Sequence, residues 1–246
     1  MNITAIIEAR CGSTRLPGKV LMQVLKKPML FHLIERLKKS DKIKNIVVAT
    51  TKDKKDLKIV NFCKMNKINY YRGSENNVLK RVYEAAEKYK ANPIVQITGD
   101  CPLIDPRLVD KTINLYLKNK VDFVSNAHPR SYPDGMDVSV FSFKSFKKVK
   151  KLAIQKRYKE HVSLFYIENE NLFKTKSVIA PKNLRYPKMG LTLDEKKDYQ
   201  LIKKIFEYFH YKKIQFFYCE DILELLSHKR DWLKINQDVK RKGIPI

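Results

Sequence analysis

An α/β fold built on a mainly parallel sheet flanked by helices is predicted by two observations. Apolar, β-branched runs at Thr4–Glu8, Asn45–Thr51 and Ile94–Thr98 alternate with amphipathic segments of helical period, and the first and third of these runs end in polar, glycine-bearing turns. Strand, helix, strand at this spacing requires crossover connections, which place helices on the faces of a parallel sheet. Ligands of such sheets bind beyond the carboxyl ends of the strands, so the turns after the strands are where function is sought.

The first strand runs straight into ARCGSTRLPGK at 9–19. Gly12, Gly18, Arg10, Arg15, Ser13, Thr14 and Lys19 in that turn read as a polyanion cradle. Glycine lets backbone N–H groups approach phosphate oxygens, and guanidinium groups add bidentate hydrogen bonds. Three fixed positive charges within ten residues suit a triphosphate better than a single phosphate, and Pro17-Gly18 turns Lys19 back toward it. On composition alone a basic surface loop explains the same residues. The P-loop is excluded, because five residues separate Gly12 from Gly18 and Val20 follows Lys19; no Gly-x-Gly-x-x-Gly is present either.

After this loop a helix is expected at 29–39, with Leu30, Leu33, Ile34 and Leu37 facing the sheet. The strand NIVVATT, a helix at 56–66 and a short strand at 68–71 complete the first half. In RGSENNVLKRVYEAAEKY (72–89), Ser74 or Asn76 caps a helix whose apolar side is Val78, Leu79, Val82, Ala85 and Ala86. Arg72, Asn77 and Arg81 gather near its start, where positive charge gains nothing from the helix dipole and a polar or anionic ligand would account for it. The strand IVQIT ends in GDCPLID at 99–105. Asp100 at a central strand end is placed for a hydrated magnesium ion carried by a nucleotide, with an ordinary turn aspartate as the alternative. Asp105-Pro106 reads as the cap and first turn of the next helix.

The second half is less regular. Strands are expected at 122–125, 138–143, 173–178 and 186–193, and helices at 145–152 (capped by Ser145), 155–167, 198–209, 222–227 and 232–240. The loop HPRSYPDGMD at 128–137 is shaped by two prolines and a glycine. Asp194 repeats the geometry of Asp100 where a strand gives way to a helix, and a helix cap is its alternative. His161 is read as a buried or capping residue or as a substrate contact. One domain over 1–246 is expected, with an irregular subregion at about 126–167 and a helical tail at about 220–246.

Composition narrows the class. With 43% hydrophobic residues the chain is not of the disordered kind. No apolar run reaches membrane-spanning length and the start lacks a signal-peptide pattern, so a cytoplasmic protein is expected. Net charge of +25 invites a nucleic-acid reading, but the 40 lysines are scattered, only 11 arginines accompany them, and no nucleic-acid motif is present. Arg10, Arg15, Arg72 and Arg81 all fall in the two stretches that carry function. Cys11, Cys63, Cys101 and Cys219 have no metal-ligand spacing, and neither Cys11 nor Cys101 has a neighbouring histidine for thiol catalysis.

Six stretches carry a family resemblance: ARCGSTRLPGK (9–19), RGSE (72–75), TGDCPL (98–103), YPDGMD (132–137), RYKEHV (157–162) and Leu193-Asp194. With these the chain resembles the cytidylyltransferase family of CMP-sugar synthetases, which includes the 3-deoxy-manno-octulosonate and acylneuraminate enzymes. It looks most like the spore-coat polysaccharide biosynthesis branch. The resemblance implies a Rossmann-like nucleotidyltransferase fold of glycosyltransferase-A type, a mixed but mainly parallel sheet flanked by helices. It implies Mg²⁺-dependent reaction of CTP with an acidic sugar to give CMP-sugar and pyrophosphate. Arg10, Gly12, Ser13, Arg15 and Lys19 would hold the triphosphate. Ala9 with Arg72, Gly73, Ser74 and Arg81 would border the base, and Thr98 and Gly99 would lie against the nucleotide. Asp100 and Asp194 would hold the metal, with Arg15, Lys19 and Asp100 as the catalytic set. Asp134, Asp137, Arg157 and His161 would lie near the acceptor. Family members are often homodimers, for which 126–167 is a candidate interface. One departure bears on the acceptor: Ser139 stands where the branch usually has an acid. Two other readings stay open, a nucleotidyltransferase for another triphosphate or acceptor (a sugar 1-phosphate or phosphonate) and a non-catalytic basic nucleic-acid-binding module.

Overall fold

The computed structural model describes residues 1–241. In chain order it contains β1 (Thr4–Glu8), β2 (Gln23–Val24), β3 (Lys27–Pro28), α1 (Met29–Leu37), β4 (Asn45–Thr51), α2 (Leu57–Met65), β5 (Asn69–Gly73), α3 (Val78–Lys88) and β6 (Ile94–Thr98). There follow α4 (Pro106–Lys118), β7 (Phe123–Ser125), β8 (Ser139–Phe141), α5 (Phe143–Leu152), α6 (Lys156–Glu160), α7 (Leu164–Glu168), β9 (Thr175–Ser177), α8 (Lys196–Tyr211), α9 (Cys219–His228) and α10 (Arg230–Leu233). Seven strands form one sheet in the order β5-β4-β1-β6-β8-β7-β9, while β2 and β3 make a separate hairpin. Only β8 runs antiparallel to its neighbours.

Alternation along the strands decides what each face buries. Ile6, Val47, Ala49 and Ile94 point to one side, where α3 and α5 close over them with Leu79, Val82, Phe146 and Val149. Ala5, Ile7, Val48 and Val95 point to the other and meet Leu33 and Leu37 of α1, Ile59 of α2 and Ile113 of α4. A further apolar cluster joins α8 and α9 to the loop residues Met136, Leu191 and Leu193. No helix among the described residues is long and apolar enough to cross a membrane.

The chain leaves β1 toward β4 and β5, then returns to the opposite side of β1 with β6. The strand order therefore reverses between β1 and β6, and a crevice opens at their carboxyl ends. Register sets Glu8 level with Thr98. The two following turns start in contact, because the Gly99 N–H donates to the Glu8 carbonyl at 2.8 Å. A Cβ at position 99 would lie 2.7 Å from that oxygen and 3.1 Å from Ala9 Cβ, so the approach needs glycine.

Several elements differ from sequence expectation. Asn77, not Ser74 or Asn76, caps α3 by accepting from the Lys80 N–H at 2.8 Å. Ser142, not Ser145, caps α5, and Ser145 is buried against the Tyr166 hydroxyl. The helix expected at 155–167 is broken into α6 and α7 at His161, which is extended. Tyr158, Val162, Leu164, Phe165 and Tyr166 are all buried, and no single helical stripe covers that set. The strand expected at 186–193 is a loop with one bridge, Asp134 to Gly190; Pro187 has no N–H, and residues 186–188 face solvent. The second tail helix stops at Leu233, after which Asn236 bonds the Gly190 carbonyl and the Asp198 carboxylate. Residues 242–246 of the expected tail lie outside the described residues.

Because the crevice depends on the close approach at Gly99, Gly99→Ala is expected to destabilise the fold by about 1–3 kcal/mol. Urea denaturation checks this; an unchanged midpoint would contradict the contact.

Candidate active site

The opening loop is held by its own backbone and by α2. The Gly18 N–H donates to the Cys11 carbonyl at 2.9 Å, closing residues 11–18 into a ring, and Gly18 itself takes a left-handed φ of 72°. Asp56, just ahead of α2, accepts from the Cys11 N–H at 2.6 Å and the Thr51 N–H at 3.2 Å. Burial pushes the Asp56 carboxyl up, but the hydrogen bond donated by the Thr51 hydroxyl, followed by those of the Cys11 and Thr51 N–H groups, outweighs it and holds the group below the usual carboxylate value.

Lys19 leaves this loop at a short 3₁₀ turn and reaches two carboxylates at once. Its Nζ lies 2.6 Å from Asp100 Oδ2 and 2.9 Å from Asp194 Oδ1. Asp194 is shared with Arg15, whose Nη2 is 3.0 Å away. The two aspartates are brought together by backbone pairing: the Asp100 carbonyl accepts from the Leu193 N–H at 2.8 Å. The fully buried Asp198 then accepts from the N–H groups of Asp194 and Glu195 at 3.0 and 2.8 Å, fixing the turn ahead of α8. Burial alone would raise Asp100 and lower Lys19. The Lys19 charge, with the hydrogen bonds that Asp100 accepts, outweighs burial at Asp100, and the charges of Asp100 and Asp194, with their hydrogen bonds, together outweigh it at Lys19, keeping Asp100 below and Lys19 above ordinary values. Because Lys19 is held by both carboxylates, it keeps one partner when the other is removed.

A cleft of about 670 Å³ opens over this ion cluster. It is lined by Ala9, Arg10, Ser13, Arg15, Lys19, Arg81, Thr98, Asp100, Asp134, Asp137, His161 and Asp194, so most residues singled out from sequence meet there. Gly12, Arg72, Gly73, Ser74, Gly99 and Arg157 do not line it. The Arg72 guanidinium instead donates to the carbonyls of Thr51, Lys52 and Asp53 at 3.0, 2.7 and 3.2 Å, bracing the end of β4. The Ser74 carbonyl accepts from Arg81, and Gly73 packs under the same side chain. Arg157 is held outside by Glu168 at 2.6 Å.

Sequence reasoning missed the residues that organise the far end of the cleft. Arg130 donates to both Asp137 carboxylate oxygens at 2.7 Å and lies 3.2 Å from Asp134. Burial and then the neighbouring Asp137 raise Asp134 to about 6, against the opposing charges of Arg130 and Arg241. Glu8 and Gln96 form the floor, with Gln96 Nε2 donating to Glu8 Oε1 at 2.8 Å. Burial raises Glu8 to about 7, although Arg81 pulls the other way. The polar positions in β1 and β6 were a usable signal; nothing local marked Arg130.

Among the described residues no three His, Cys, Asp or Glu side chains converge as a closed metal cage. The Asp100–Asp194 pair nonetheless fits a hydrated divalent cation: two hard oxygens converge on one positive charge, the Lys19 ammonium, and leave ligand positions for phosphate and water.

Glu8 gives a pH prediction. Its folded value lies above the ordinary 4.5, so the folded state binds the proton more tightly. Its contribution is full below about pH 4.5 and is lost as pH rises through about 7. Denaturation measured from pH 4 to 8 is expected to show stability falling less steeply in Glu8→Gln than in the parent; identical slopes would contradict the assignment.

A cytidylyltransferase family model matches residues 4–229. The chain is 38% identical over 243 residues to an uncharacterized protein of Methanocaldococcus jannaschii, covering 99% of this chain and 98% of that one. It is 32% identical over 213 residues to the spore coat polysaccharide biosynthesis protein SpsF of Bacillus subtilis, covering 84% and 87%. Its structure resembles that of a cytidylyltransferase from Leptospira borgpetersenii serovar Hardjo-bovis with a TM-score of 0.87 and 30% identity, covering 99% of this chain and all of that one. The crevice between β1 and β6, with its ringed loop and paired aspartates, is thus carried on a chain that belongs to the cytidylyltransferase family.

Proposed function

We propose that the chain transfers the cytidylyl group of CTP to a hydroxyl of an acidic sugar, giving a CMP-sugar and pyrophosphate for surface polysaccharide or glycan synthesis. The observation that carries this reading is the Lys19 ammonium shared by Asp100 and Asp194 beside a loop ringed by backbone hydrogen bonds. Such a site gathers positive charge for a triphosphate and carboxylates for its metal. Membership of the family supports a nucleotidyltransferase, and the likeness to a polysaccharide biosynthesis protein supports a sugar acceptor.

In this reading Arg10, Ser13 and Arg15 bind the triphosphate from the loop. Asp100 and Asp194 hold Mg²⁺, which when bound supplies charge neutralisation at the α-phosphate. The acceptor lies toward Asp134, Asp137 and His161, where Arg130 keeps both carboxylates oriented. Its hydroxyl oxygen bonds the α-phosphorus as the α–β phosphoanhydride bond breaks, and the hydroxyl proton is released. Lys19 and Arg15 meet the charge developing on the departing pyrophosphate. No covalent enzyme intermediate is needed, because positioning and charge neutralisation suffice.

Pyrophosphate release across CTP, UTP, ATP and GTP, against acidic sugars, sugar phosphates and phosphonates, tests the reading. Release with CTP and an acidic sugar is expected. Release with another pair would move the substrates, and silence with salt-sensitive RNA binding would overturn it. Asp100→Asn is expected to lower kcat at least about 100-fold while circular dichroism stays unchanged. An active Asp100→Asn enzyme would remove the carboxylate from the mechanism.

A further inference from the structure

The family match ends at residue 229, yet the chain beyond it returns to the cleft. Residues 234–241 leave α10 and lie across the start of α8. Asn236 Nδ2 donates to the Gly190 carbonyl at 3.0 Å and to Asp198 Oδ1 at 2.8 Å. Lys197 pairs with Asp238, and Arg15 Nη1 donates to the Lys240 carbonyl at 3.3 Å. This strap delivers Arg241 to the cleft wall, near Asp134, Thr192 and Asp194.

Arg241 is held but not satisfied. Its Nη2 donates to Asp198 Oδ1 at 2.7 Å, and its guanidinium lies against Gly190, where a Cβ would come within 2.0 Å of Nη2 and 2.2 Å of Cζ. Its Nη1 is buried and finds no acceptor among the described residues. A buried donor left without an acceptor is costly, and an incoming anion would remove that cost. The neighbouring cations are already engaged: Arg15 and Lys19 with the metal-side carboxylates, Arg130 with Asp137 and Asp134. Among the described residues Arg81 also keeps an unpartnered buried nitrogen, its Nε, but lies beside Glu8; Arg241 is the one of the two that lies beside Asp134.

We propose that Arg241, carried by the C-terminal strap, recognises the carboxylate of the acceptor and so selects for acidic substrates. The proposal rests on the acidic-acceptor reading above. A planar guanidinium suits a carboxylate, and one fixed by Asp198 and Gly190 loses little freedom on binding. Asp198 also holds the Asp194 turn, so the strap and the metal-side carboxylate share one anchor.

Steady-state kinetics with CTP and an acidic sugar test this in the full chain. Arg241→Ala is expected to raise the acceptor KM about 10–100-fold and leave the CTP KM within about twofold, with Arg241→Lys intermediate. Gly190→Ala, which displaces the guanidinium without touching Arg241 itself, is expected to raise the acceptor KM likewise and to add nothing in the Arg241→Ala background. An unchanged acceptor KM in Arg241→Ala, or a rise confined to CTP, overturns the assignment and leaves the proposed reaction standing. A parent chain that releases pyrophosphate with neutral acceptors alone, or with none, overturns the acidic-acceptor reading and this assignment together.

Discussion

The interaction on which the rest of the site depends is the single ammonium of Lys19 held between Asp100 and Asp194. Its partners are 81 and 175 residues away in sequence, so three separate parts of the chain must arrive together. The reversal of strand order brings the first two, because β1 and β6 are neighbours and their turns begin level. The third arrives through the Leu193 N–H on the Asp100 carbonyl and through Asp198, which fixes the turn before α8. Fold and site are thus linked at the level of individual hydrogen bonds.

The same arrangement separates two kinds of charge. The lysine-rich surface gives the chain its +25, yet within the cleft Arg15, Lys19, Arg130 and Arg241 are each paired with a carboxylate. Paired groups hold one another in a defined geometry, so these four are not free to attract polyanions indiscriminately. A nucleic-acid backbone entering the crevice would meet the carboxylates of Asp100, at the end of β6, and Asp194, in the turn before α8.

Much of the parallel half was legible in the sequence. Strong β-branched runs and clean helical periods fix β1, β4, β6 and α1, and local turn chemistry marks the loop after β1 and Asp100 after β6. Asp194 was reached by a wrong intermediate step. The strand assigned before it does not form, and the aspartate is placed by a long-range backbone bond that no local pattern reveals. Arg72 shows a related limit: charge at a helix start suggests a ligand, whereas its guanidinium donates to three carbonyls about twenty residues away, contacts that no local pattern reveals. Arg130, Arg241 and the break at His161 depend on tertiary contacts in irregular segments, where periodicity carries no information.

Manganese binding followed by electron paramagnetic resonance, with CTP present, tests the shared-carboxylate account most directly. The account predicts that the chain with CTP binds the ion, and that Asp100→Asn and Asp194→Asn each weaken it at least about tenfold, as removal of a direct carboxylate ligand should. Undiminished binding in both variants would contradict it, because the paired aspartates would then have no part in holding the metal.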